Sequence, residues 1–557
     1  MKKWLPKSIL CLTDYDFQKF SSDVVAGLTV GLVALPLAMA FAISSGVAPQ
    51  AGIYTAVVAG FLISALGGSK TQIGGPTGAF VVIIYSIVAK YGIDGLAICT
   101  IMAGIMLLAL GLTGLGTTVK YIPRPVIVGF TNGIAVLIAS TQLKDFFGLS
   151  IEKVPGEFLG RVEAIATHFE TVSWQSSALG IGAIAIILSI RKFAPRVPAY
   201  IVAMVVGTAI VGVAQLPVET IGSRFGGIPT GPPAFGFPKF DLGMLQALLP
   251  SAMTVAMLGA IESLLSAVVS DRMSHDKHNS NVELVAQGIA NIVTPFFGGI
   301  PATGAIARTA TNVRAGAQTP VAGMIHALTL LGILLFAAPL ATFIPLSVLA
   351  AILLVVSYNM GEWHEIPKLL KLTWADISVW ATTFALTVFA DLTVAVGAGI
   401  ALAAMLYIRK VTSTTTVTRV TSQYVEEGWL HILQGKPIPE YVAVFRIHGP
   451  LLFGGNERVA LIAECVDELP SIVILRLRNM TAIDATGLQA LEDLAGKCRH
   501  AGRTLILCGA PPQPAKLMLQ AEFEQHVGKF NICPNFHAAL ERAIFVQFNS
   551  SPGNRVA

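Results

Sequence analysis

The chain has 557 residues, 54% of them hydrophobic and only 12% charged, and its formal net charge is +5. With a mean hydropathy of +0.71, this composition excludes a soluble globular protein and places most of the chain in a bilayer. The basic residues are spread over several loops rather than gathered in one patch, so no nucleic acid is expected as a partner.

Residues 1–23 begin basic (MKKWLPK) but lack a signal-peptide core and a small-residue cleavage site, and read as a cytoplasmic lead-in. Apolar segments follow near 24–44, 51–66, 77–90, 94–115, 125–141, 176–190 and 198–216. After a connection at 217–245, seven more lie near 246–270, 282–297, 304–317, 320–338, 343–358, 374–390 and 392–408. Several fall short of the roughly 20 residues that a full span needs. The connections expected inside carry Lys70, then Lys120 and Arg124, then Arg191, Lys192 and Arg196, then Lys368 and Lys371, then Arg409 and Lys410. The one at 142–175 sets Lys144, Lys153 and Arg161 against Asp145, Glu152, Glu157, Glu163 and Glu170, and belongs outside. The positive-inside rule supports fourteen segments with both termini in the cytoplasm.

The first segment has Pro36 in mid-span and then Phe41, which is either a packing aromatic or the cap of a pocket. The third opens on GGPTGAF (residues 74–80) and the tenth on GGIPATGAI (residues 298–306). At membrane depth, irregular backbone is tolerated only inside protein or beside water. A helix that starts there turns its unpaired N–H groups and positive dipole end on whatever fills the space. Arg308, one turn into the tenth segment, makes this a candidate anion pocket; the alternative is a Gly/Pro kink with Arg308 snorkelling to one face. The echo favours the pocket. Thr77 and Thr303 are 303 − 77 = 226 residues apart, and the same offset carries Val24 to Pro250, the start of the eighth segment. Broken helices at matching positions of two halves point to an inverted-repeat transporter with a midplane site.

The eighth segment carries Glu262, where an ionised carboxylate is costly unless paired or wet. It is either a structural glutamate or a proton site coupled to Arg308, and the proton site is the preferred reading. His326 reads as a satisfied packing residue, Asp391 as a cap of the last helix, Arg314 as a snorkelling side chain, and Asp271 to His278 as a solvated turn.

Beyond Arg409 the composition turns polar. Residues 409–439 read as a linker or first strand. Residues 440–557 alternate strands (YVAVFRIHG, SIVILRLRN, RTLILCGA) with helices near 455–469, 486–500, 512–521 and 536–545, which is the pattern of a small α/β domain. Asp484 or Thr486 can cap the helix after the second strand, and Thr486 is also a candidate phosphate acceptor. The six cysteines show no CxxC or Cys/His spacing, so no metal site or cofactor is implied.

The stretches LPLAMAFAISSGVAPQAGIYTA, GGPTGAFVV, MLGAIESLLSAVV and GGIPATGAIARTATNVRAGAQTP, followed by an IDATG-containing domain, resemble the SulP anion permeases, the bacterial side of the solute carrier 26 group. The Glu-containing segment and the Ala-Arg-Thr run look closest to the C4-dicarboxylate branch, the DauA type. The resemblance implies an all-α polytopic membrane domain of 14 transmembrane segments in a 7+7 inverted repeat, with core and gate domains. It also implies a C-terminal cytoplasmic α/β STAS domain. Repeat 1 would occupy 24–216, repeat 2 246–408 and the STAS domain 440–557. A homodimer in the bacterial inner membrane is expected. By position, the anion would sit between Thr77, Gly78 and Ala79 on one side and Ala305, Ile306, Ala307 and Arg308 on the other, with Phe41 as pocket aromatic and Glu262 as the proton-coupling group. Leu37 departs from a glutamine common in other branches. Thr486 matches a phosphorylatable serine of the anti-sigma-factor antagonists, and Asp484 stands beside it.

The leading reading is a proton-coupled symporter of C4-dicarboxylates such as succinate, fumarate or aspartate. Alternatives are a sulfate or bicarbonate symporter or exchanger, an anion channel, and a membrane-anchored signalling protein whose STAS domain binds a cytoplasmic protein partner. No nucleophile–base constellation or nucleotide loop appears, so an enzyme is not expected.

Overall fold

Where this chain places glycine and proline between its apolar runs decides where its helices stop. The computed structural model describes residues 4–116, 123–151, 154–194, 197–239, 241, 243–390, 392–420, 438–452 and 456–550; Lys120, Glu152, Lys153, Arg196 and Asp391 lie outside them. Two units emerge, Met1–Ala403 and Ala404–Ala557.

In the first unit, α1 (Lys7–Cys11) precedes α2 (Phe17–Ser44). The start of α2 lies ahead of the expected 24 because Asp16 caps it, accepting from Lys19 N at 2.7 Å. After α3 (Pro49–Leu66) the chain runs extended through β1 (Gly74–Gly75), makes a 3-10 turn at Gly78–Phe80 and enters α4 (Val81–Leu112). Gly92, at φ 70°, breaks α4 into the third and fourth segments. Next come α5 (Arg124–Phe147), α6 (Phe158–Thr167), α7 (Trp174–Phe193), α8 (Ala199–Ala214) and α9 (Ile221–Phe225). The second repeat holds α10 (Met244–Ser274), α11 (Ser280–Val293), β2 (Thr303–Gly304), α12 (Ile306–Arg314), α13 (Val321–Ala337), α14 (Leu346–Met360), α15 (Ile366–Leu369), α16 (Trp374–Phe389) and α17 (Leu392–Ser413).

Nine helices among the described residues are long and apolar enough to cross a membrane. The nine-residue α12 is about 14 Å long, half the hydrocarbon thickness. With α4 counted as two and the shorter α8, α11, α12 and α16 included, the segments number fourteen. α2, α3, α4 and α10 to α13 pack mainly on one another, whereas α5 packs on α14 and α16, and α7 on α8 and α14.

Three loop readings change. The stretch from Asp271 to His278 begins as the last turn of α10 and is pinned rather than merely solvated: His278 Nδ1 meets Asp271 at 2.7 Å, and Asp276 meets Lys7 at 2.8 Å and Lys70 at 3.5 Å. Asp23, expected in the lead, is buried in α2 and accepts from the backbone N–H of Gln318 at 2.7 Å and of Thr319 at 3.1 Å, which anchors the chain entering α13. Arg161, expected in a solvated loop, is buried because α6 folds back. It donates to Gly156 O at 2.7 Å and to Ser140 Oγ at 2.9 Å.

The second unit is a five-stranded sheet in the order β3 (Thr416–Val420), β4 (Val442–Leu451), β5 (Ile472–Ile483), β6 (Thr504–Cys508), β7 (Ile532–Cys533). β3 is antiparallel and the rest are parallel. One face is covered by α18 (Asn456–Glu464), α19 (Ala485–His500) and α20 (Pro512–Gln520). α21 (Glu524–Val527) leads to α22 (Phe536–Ser550), which covers the other. β3 falls in the stretch read as a linker or first strand and is the first strand, so the sheet starts earlier than residue 440.

Candidate anion site

The two glycine motifs meet. Gly74 pairs with Gly304 and Gly75 with Thr303 in an antiparallel ladder of two residues, and Ala305 N donates to Ile73 O at 2.8 Å. Each strand then turns into a helix, at Thr77–Gly78 and at Ala305–Ile306. Being antiparallel, the strands bring the two helix starts to one place. Neither helix has a side-chain cap, so the first amides of both are left for a ligand. Thr77 stands where a cap would, yet its hydroxyl donates to Glu262 Oε2 at 2.9 Å.

α10 holds both broken segments through one stripe at helical spacing. Gly259 O accepts from Thr303 Oγ1 at 2.8 Å, Ser263 Oγ accepts from Gln72 Nε2 at 2.9 Å, and Ser270 Oγ meets Thr71 Oγ1 at 2.6 Å. Ser266 Oγ donates at 3.0 Å to Thr309 Oγ1, which also accepts from Ile73 N at 3.1 Å. Gln72, Ser263, Ser266 and Thr309 were missed in the sequence; the spacing 259, 262/263, 266, 270 on α10 was the available signal.

Arg308 is only 3% exposed. Its Nη2 donates to Pro76 O and its Nη1 has no protein acceptor among the described residues. A Cβ on Gly75, whose φ is +148°, would sit 2.6 Å from that Nη1, so glycine is what lets the guanidinium lie against this strand. No carboxylate lies within ion-pair distance of Arg308 among the described residues; Glu262, partly exposed to the cavity beside it, acts on its charge from farther away.

All nine residues expected at the site, Phe41, Thr77, Gly78, Ala79, Ala305, Ile306, Ala307, Arg308 and Glu262, line one cavity of about 470 Å³. Phe41 lies over the first broken helix, since a Cβ on Gly78 would be 3.2 Å from its ring. Leu37, Phe130, Ile134 and Val356 make apolar walls. At the mouth stand Arg191, Tyr200, Asn359 and Arg314, with Arg191 donating to Tyr200 Oη at 2.5 Å. These lie on the side of the basic connections, and no residue of 142–175 or 217–245 lines the cavity. His326 is fully buried in α13, packed against Gly60 and with the backbone of Gly323 as its polar neighbour. In the second unit, Asp484 caps α19 by accepting from Gly487 N at 2.8 Å, while Thr486 is the second residue of that helix and half-buried.

Two uncapped half-helices meeting beside a buried arginine, on fourteen segments in two inverted halves, define a membrane carrier for small anions. Residues 20–383 match the sulfate permease family and residues 436–539 the STAS domain, and the chain belongs to the sulfate permease family. It is 42% identical to the putative sulfate transporter YvdB of Bacillus subtilis, over 92% of this chain and 96% of that protein. It is 30% identical to the bicarbonate transporter BicA of Picosynechococcus, over 95% of each. The transmembrane domain of a cyanobacterium bicarbonate transporter BicA shares 34% identity and a TM-score of 0.60, covering 70% of this chain and 98% of that one. The overall structure of SLC26A9 matches at a TM-score of 0.85 and 19% identity over 98% and 93%, a likeness of fold alone. The chain is thus a multi-pass anion transporter and not an enzyme. Closeness to the C4-dicarboxylate branch rests on the motifs alone.

Proposed function

We propose that the chain takes up a small oxyanion, sulfate or bicarbonate, together with a proton by alternating access. The observation that carries this reading is the buried Arg308 guanidinium, its Nη1 unpaired and no carboxylate in direct contact with it among the described residues, set between two uncapped helix starts. A buried cation needs a counter-charge, and once Glu262 takes a proton it no longer supplies one. An anion held by the amides of Gly78, Ala79, Ile306 and Ala307, below Phe41, supplies it. Glu262 takes the proton, because it faces the same cavity and is held there by Thr77. The group built from α2–α4 and α10–α13 moves as a core against a gate that includes α5, α7, α8, α14 and α16. A cavity open on the basic side is then the inward-open state of a protein with both termini in the cytoplasm. In this reading the protein is a homodimer in the inner membrane, and its STAS domain, through Asp484 and Thr486, meets a cytoplasmic regulator.

A second reading, uptake of C4-dicarboxylates such as succinate, fumarate or aspartate, is favoured by the walls at Leu37, Phe130, Ile134 and Val356, which suit a hydrocarbon middle better than a sulfate does. The test is uptake of labelled sulfate and bicarbonate by proteoliposomes, with and without an inward proton gradient, competed by the dicarboxylates. Gradient-driven accumulation of an oxyanion is the expected result. Competition by dicarboxylates alone would move the substrate to the second reading, uptake indifferent to the gradient would mean exchange or channel conduction, and no uptake of any anion would leave a signalling role.

A further inference from the structure

The second unit carries a charged face that transport does not use. On the face that α22 covers near Val444, Ile472 and Ile474, the strands continue into Arg446 and His448 on β4 and Arg476 and Arg478 on β5. Ile447, Leu477 and Met480 belong to the opposite core, and a bulge in β5 sets Arg478 and Asn479 together between Leu477 and Met480, on the face of Arg446, His448 and Arg476. Arg446 lies beside Arg476 in the parallel ladder. Burial holds Arg476 below the usual guanidinium range; Cys508 opposes this, and the neighbouring charges of Arg446 and Arg478 lower it further. Neither Arg446 nor Arg478 pairs with a carboxylate among the described residues. Residues 438–550 hold ten Lys and Arg against eleven Asp and Glu, so the row is a segregation of charge and not a general excess.

This row is fastened to the end of the last membrane helix. α17 ends at Ser413, Thr415 Oγ1 donates to Pro450 O at 2.5 Å, and Thr416 stands opposite His448. Gly449, at φ +93°, lets the chain pass, because a Cβ there would be 3.0 Å from Thr414 O. Three residues reach at most about 10 Å, so the chain tethers this end of the sheet to the end of α17. Basic groups within roughly a Debye length of an anionic leaflet are drawn to it, and the arginine fork suits phosphate.

We propose that the face formed by Arg446, His448, Arg476 and Arg478 binds phosphate-bearing lipid headgroups of the leaflet from which α17 emerges. The test is hydrogen exchange of the full-length protein in nanodiscs of phosphatidylcholine alone or with phosphatidylglycerol. Peptides covering 442–451 and 472–483 should exchange about five-fold more slowly in the anionic discs at low salt, the scale of one arginine's attraction, and the slowing should fade in high salt. The double variant R446Q/R478Q should lose the slowing, and R446K/R478K, which keeps the charge, should retain most of it. Arg476 is left in place because it stacks on Phe536 at 5.6 Å. Equal exchange in the two kinds of disc overturns the proposal, as does slowing that survives in R446Q/R478Q. Slowing produced in neutral discs by millimolar glycerol phosphate also overturns it, by making the face a site for a soluble anion.

Discussion

Thr77 donates its hydroxyl to Glu262 across 2.9 Å, so the residue at the start of one broken helix is bonded to the carboxylate that shares its cavity. The bond leaves the helix start uncapped, free for an anion, and reports on the state of Glu262. One contact therefore joins the amides proposed to hold the anion, the proposed proton site and α10, which carries the rest of the polar stripe.

Arg308→Ala should weaken anion binding by the purified protein about a hundred-fold, the scale of losing one partner of a buried charged contact. Gly75→Ala should act in the same direction without changing any charge, because its Cβ would fall 2.6 Å from Arg308 Nη1 and its φ of +148° is strained for alanine. Binding of labelled anion in detergent checks both. Normal affinity in Gly75→Ala would mean that the exact seat of the guanidinium is irrelevant to the site.

Thr309→Val should destabilise the membrane unit by about 1–3 kcal/mol, since it removes the acceptor of the buried Ile73 N–H as well as the partner of Ser266. Thr113→Val, at an exposed position, is the control and should change little. Thermal unfolding in detergent separates them, and equal melting temperatures would show that the stripe on α10 does not hold the broken segments.

The broken helices could be read from the sequence because lipid forbids irregular backbone unless glycine and proline are placed for a purpose, and here the same pattern recurs after 226 residues. Arg308 and Glu262 stood out as charges in apolar runs. Gln72 and Thr309 did not, because a buried polar side chain shows its role only once its partner on another helix is known. Arg161 was hidden for a different reason. Its neighbours in the chain are acidic and loop-like, and only the return of α6 onto α5 buries it. Asp23 was placed outside the membrane for want of knowing that the start of α13 would come to it.

Orientation is open to a direct check. A single cysteine at Glu157 in a cysteine-free background should react with an impermeant thiol reagent added outside intact cells, and one at Lys192 should not; both positions are exposed. The reverse pattern would invert the protein and make the cavity an outward-open one.

The central claim is that Glu262 carries the proton that drives uptake. Glu262→Gln keeps an oxygen that can accept the Thr77 hydroxyl, but it cannot titrate. Binding of anion and proton that favour one another must do so reciprocally, and this variant removes one arm of that linkage while leaving Arg308 and the helix starts in place. The measurement is uptake of labelled anion by proteoliposomes, with and without an inward proton gradient, beside binding of the same anion in detergent. The account predicts that Glu262→Gln binds the anion but no longer accumulates it in response to the gradient. Gradient-driven accumulation by the glutamine variant would contradict it and leave Glu262 as a structural partner of Thr77.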